Sequence, residues 1–103
     1  MFIKKGVKLI DEVEGDGPQI ERHSYYLLST RLTLSRGEVV KVLQGPTSQY
    51  RDRYLKLNED GFLESRTRID RENLIVGLFY AILGMKVGGY RKVEIAPHLA
   101  YQG

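Results

Sequence analysis

The chain has 103 residues, 42% of them hydrophobic and 28% charged, with a net charge of +3 and no cysteine. That length makes one domain over residues 1–103, and the composition excludes fibrous and globally disordered chains. Without cysteine there is no disulfide, thiolate metal site or cysteine nucleophile, and two distant histidines, His23 and His98, make no metal site.

The first residues, Met1 to Gly6, carry a lysine pair and no long apolar run, so they do not form a signal peptide. No apolar stretch is long enough to span a membrane, and the expected location is cytoplasmic. Gly15-Asp16-Gly17-Pro18 breaks regularity as a turn. From Tyr25, two sets of residues alternate: Tyr26, Leu28, Thr30, Leu32 and Leu34 against Leu27, Ser29, Arg31, Thr33 and Ser35. Period two with aromatic and β-branched residues predicts a strand. Ser35-Arg36-Gly37 is a turn, Glu38 to Leu43 the partner strand, and Gln44 to Ser48 a loop.

A second hairpin follows, with arms Tyr50–Leu57 and Phe62–Ile69 around the turn Asn58-Glu59-Asp60-Gly61. Leu74, Ile75, Leu78, Phe79, Ile82 and Leu83 then recur at helical spacing. Asn73 or Asp70 caps this helix, and Gly84 ends it. Apolar on most faces, the helix is expected to be buried. Arg91 to Ile95 is a last strand, stopped by Pro97. Several strands with one helix and no βαβ alternation predict an α+β fold, an antiparallel sheet wrapped around one short helix, with an inserted hairpin.

The end of the chain carries a longer pattern. After the helix come Met85-Lys-Val-Gly-Gly89, then Arg91-Lys92, then a strand into Pro97-His-Leu-Ala-Tyr101. This order closely resembles the signature of FKBP-type peptidyl-prolyl cis-trans isomerases, and Gly15-Asp-Gly17 resembles the acidic-glycine turn before that family's first long strand. The resemblance implies an FKBP-like fold and rotamase activity on X-Pro bonds of peptide or unfolded protein segments. It implies no cofactor and no metal.

Carried over residue by residue, the resemblance makes Tyr101 the hydrogen-bond donor to the substrate carbonyl. It makes Leu74, Ile75 and Leu78 the wall of an apolar proline pocket, with Ile75 offering its backbone N–H. If Leu34-Ser-Arg-Gly37 matches the family's leucine-acidic-acidic-glycine turn, Thr30 and Val40 replace two pocket aromatics and Lys41 replaces the pocket aspartate. Leu78 stands where the family has tryptophan. These departures imply low activity. Family members also continue to a last strand that completes the sheet. Here the sheet is completed by the Phe2–Ile10 segment, by a partner strand or second copy, or by residues beyond this sequence.

Two other functions are compatible with the residues. One is a non-catalytic FKBP-like module that binds peptides or acts like a chaperone, with the inserted hairpin as its contact surface. The other is an arginine-rich hairpin binding nucleic acid. If the turn pairs Leu57 with Phe62, Arg53 faces Arg66 and Arg51 faces Arg68, a stack of cations suited to phosphate. Against it, residues 50–72 hold six basic and six acidic side chains and net zero, so nucleic acid is not the expected partner.

Overall fold

The computed structural model describes residues 2–33, 37–47, 55–72, 74, 76–96 and 99. In chain order they form β1 (Phe2–Lys4), β2 (Val7–Val13), β3 (Tyr25–Thr33), β4 (Gly37–Thr47), β5 (Leu55–Leu57), β6 (Leu63–Arg68), α1 (Val76–Ile82) and β7 (Tyr90–Ile95). The strands make one antiparallel sheet in the order β1-β2-β7-β4-β3-β6-β5. With one short helix, this is the expected α+β, FKBP-like architecture.

Alternation along β3 and β4 sorts their side chains between two faces. Tyr26 and Leu28 from β3, and Val40 and Val42 from β4, point inward and are buried. The register places Leu28 opposite Val42 and Thr30 opposite Val40. On the outer face, Arg31 and Lys41 lie over the Phe62 ring, 4.7 and 4.6 Å from its centroid. The inner residues form one core cluster with Ile69 and with Leu78, Phe79, Ile82 and Met85 from the helical segment. A second cluster of Val7, Ala81 and Val93 ties β2 and β7 to the same helix. Burying each of these larger side chains contributes about 1.5–3 kcal/mol.

The helix has seven residues and is shorter than its apolar periodicity suggests. Asn73 lies outside the described residues. Asp70 is buried; it accepts the Glu72 amide at 3.0 Å and pairs with Arg68 at 3.3 Å, six residues before the helix begins at Val76. Gly84 takes φ 90° and ends the helix as expected, a conformation costly for any residue with a Cβ.

Two further expectations change and one of three alternatives is settled. First, β4 runs on through Thr47, where a loop was expected from Gln44. The Gly45-Pro46 step is absorbed as an irregularity opposite Tyr25–Leu27, which keeps the ladder going past a residue that cannot donate. Second, the hairpin register slips by one: Leu57 pairs with Leu63, not Phe62. Asn58 closes the loop through its amide to the Phe62 carbonyl at 2.9 Å, and Gly61 takes φ 83°, leaving a three-residue turn. Leu55, Lys56 and Leu57 thus pair one residue off the register that would set arginine against arginine. Arg51 and Arg53 lie outside the described residues. Third, β4 lies between β3 and β7, so β7 is paired on both sides, with β2 and with β4. The Phe2–Ile10 segment spans β1 and the start of β2, and its Val7, Lys8 and Leu9 pair with β7, so this segment completes the sheet beside β7, one of the expected alternatives.

Candidate functional site

Of the residues expected to form a pocket, Thr30 and Val40 lie on the inner face of the sheet, and Leu74 and Leu78 pack against the core on that side. Thr30 and Val40 are cross-strand partners. Val40 and Leu78 belong to the same core cluster, and Leu74 packs against it. Val40 is fully enclosed and Leu78 nearly so, which makes them a floor rather than an open wall. Thr30 and Leu74 are half-buried and form the accessible margin. Tyr101 and Ile75 lie outside the described residues. Lys41, next to Val40 in an alternating strand, points to the outer face and stacks on Phe62, away from this margin.

Glu38 was not among the residues expected here, yet it occupies the same inner face, two positions from Val40. It stands opposite Val93 on β7 and opposite Leu32 on β3. It is half-buried, and its Oε2 is enclosed with no hydrogen-bond partner. Burial pushes its carboxyl above the ordinary value of 4.5, because a charged form is poorly solvated there. A signal for it existed in the sequence: Glu38, Val40 and Val42 alternate on one face of a strand whose other members there are apolar.

Two pieces of the resemblance that lie seventy positions apart meet in space. Gly17 N–H donates to the Val87 carbonyl at 2.9 Å, Val87 N–H to Pro18 at 2.9 Å, and Ile20 N–H to Met85 at 2.8 Å. A Cβ on Gly15 would run into the Val87 carbonyl and the Gly89 amide, so these glycines serve close backbone approach.

Beside this junction is a cleft of about 160 Å³ that Glu12, Glu14, Lys86 and Arg91 help to line. None of the described residues expected in the pocket lines it, and its charges are paired with one another. Lys86 meets Glu14 at 2.8 Å and holds that carboxyl below its usual range, while Glu14 raises Lys86. Arg91 meets Glu12 at 2.6 Å and also donates to the carbonyls of Ala81 and Leu83, at 2.9 and 3.0 Å. It thereby satisfies carbonyls at the helix end. The cleft is an ion-pair junction that joins β2, β7 and the helix terminus.

Among the described residues no group of three or more metal-ligating side chains is assembled. No helix among them is long and apolar enough to cross a membrane. No curated protein and no solved structure is significantly similar to the chain. Residues 63–103, from β6 through the helix and β7 to the end of the chain, match the family FKBP-type peptidyl-prolyl cis-trans isomerase.

Proposed function

We propose that the protein is a cytoplasmic peptidyl-prolyl cis-trans isomerase of low activity, acting on X-Pro bonds in peptide or unfolded protein segments. The match over residues 63–103 carries this reading. The convergence of Thr30, Val40, Leu74 and Leu78 on one face of the sheet supports it.

The chemistry asks little of such a site. Rotation about the prolyl bond crosses a barrier of about 18–20 kcal/mol set by amide resonance. The cis penalty at proline is small, so both isomers are populated. An apolar surface disfavours the charge-separated resonance form, and a donor aimed at the substrate carbonyl holds the twisted amide. Leu74 and Leu78 supply the apolar surface, Thr30 its edge and Val40 its floor. Tyr101 is assigned the donor hydroxyl and Ile75 the backbone N–H.

Exchange spectroscopy on a short Leu-Pro peptide, with and without the folded chain, tests this. The rate should rise with protein, and Tyr101→Phe should lower that catalysed rate two- to tenfold, about one neutral hydrogen bond of 0.5–1.5 kcal/mol. An unchanged rate in the variant removes Tyr101 from the mechanism. No acceleration by a folded chain rejects the isomerase.

One observation favours a second reading, a non-catalytic binding module. Leu55 and Leu57, on the edge strand β5, are 71% and 69% exposed. They share a face, and an edge strand accepts a further strand readily. Removing the whole hairpin would not test this cleanly, because β6 pairs with β3 and Ile69 is core. Leu55→Ser with Leu57→Ser is the sharper probe. Under this reading the double variant loses binding of an unfolded protein in a pull-down, whereas under the isomerase reading the catalysed rate on a short peptide is unaffected.

A further inference from the structure

Among the described residues, Glu38 is a carboxyl without a counter-ion on the face that carries the proposed proline site. The described charges around it are engaged elsewhere or turned away. Arg91, from β7, shares its face but is committed to Glu12 and to two helix carbonyls. Arg31 on β3, Lys41 on β4 and Lys92 on β7 alternate to the opposite face, where Arg31 and Lys41 stack on Phe62. Lys4 lies over Tyr80, 3.7 Å from its ring centroid, at the far side of the sheet. The immediate register neighbours of Glu38 on β7 and β3 are Val93 and Leu32, neither able to donate from a side chain.

A buried acceptor left without a donor is costly, and a charged one more so. Nothing among the described residues offsets that cost, and the carboxyl is held above its usual value by desolvation alone. A ligand that brings a cation to the half-buried Thr30, beside the floor at Val40, would supply the missing partner. A lysine or arginine side chain does this best, because its hydrogen bonds to a carboxylate are charge-assisted.

We propose that Glu38 makes this site selective for proline peptides that carry lysine or arginine next to the proline. The proposal rests on the isomerase reading of the same site. Glu38 acts in it as a specificity residue and takes no part in the rotation itself.

Two peptides that differ only in lysine or norleucine before the proline test it, since norleucine keeps the chain length and removes the charge. Dissociation constants for both would be measured by NMR titration at low salt with the wild-type chain and with Glu38→Gln. The wild type should prefer the lysine peptide roughly tenfold, and the variant should lose that preference. No preference in the wild type, or a preference that survives in Glu38→Gln, overturns the proposal while leaving the isomerase reading standing if the norleucine peptide binds. Failure of both peptides to bind the folded wild type rejects the site itself and the selectivity with it. The carboxyl carbon shift of Glu38, followed against pH in the wild type, gives a check that needs no variant. The lysine peptide should lower the titration midpoint of Glu38 and the norleucine peptide should not, and equal midpoints with the two peptides overturn the proposal.

Discussion

Glu38 shows how one side chain ties function to stability. Its carboxyl titrates above 4.5 in the folded chain because burial penalises the charged form. Between the unfolded and the raised folded value, the native state therefore binds more protons than the unfolded chain. Stability falls as pH rises through that window, and the penalty is complete above it. Glu38→Gln removes the titration. Urea midpoints should place the variant above the wild type at pH 7, and the gap should close on acidification below 4.5. A variant less stable than the wild type at pH 7 would mean that the carboxylate has a partner in the folded state. Arg91 is the counterexample at the same scale. It shares the face with Glu38, yet Glu12 and the helix carbonyls hold it, so its charge is structural. Sequence alone does not separate the two, since both stand in alternating strands and differ only in what the other elements bring to them.

At the scale of elements, the helix and the second hairpin show where periodicity is enough and where it is not. The helical spacing from Leu74 to Leu83 located the helix, but its tilt onto the sheet depends on Gly77. A Cβ at Gly77 would collide with Ile95 on β7. Glycine in a helix interior costs about 0.5–1 kcal/mol relative to alanine. Overpacking a core contact costs about 1–3 kcal/mol. Gly77→Ala should therefore destabilise the chain by roughly 1–2 kcal/mol, read as a lower denaturant midpoint at unchanged slope. A gain in stability would show that the helix shifts to accept the methyl. In the hairpin, alternation located both arms, and the turn residues were legible as a turn. The register was not, because it hangs on Asn58 bonding to Phe62 rather than on the pattern of the arms. That single step moved Leu57 opposite Leu63.

Over the whole molecule, the family signature is local in sequence but its structure is not. β6 takes its ladder from β3 and β5, and β7 takes its ladder from β2 and β4. The helix packs on β1, β2 and β7. A fragment of residues 63–103 thus lacks the strands that pair with it, and it should be unfolded, with collapsed amide dispersion in its NMR spectrum. The full chain should unfold in one cooperative transition. A folded fragment would show that the signature region is an independent unit. What the residues alone specify here is what depends on near neighbours: strand alternation, helical spacing, the glycine stops and the ordered motif from Met85 to Tyr101. These follow from backbone geometry and local sterics, which each short segment carries with it. What the tertiary structure decides is which segments meet. It inserts β4 between β3 and β7, docks the Gly15–Gly17 turn onto Val87, and among the described residues leaves Glu38 without a cation while giving Arg91 the carboxylate of Glu12. Those outcomes depend on register, burial and charge pairing between distant segments, and their free energies exist only once the sheet has assembled.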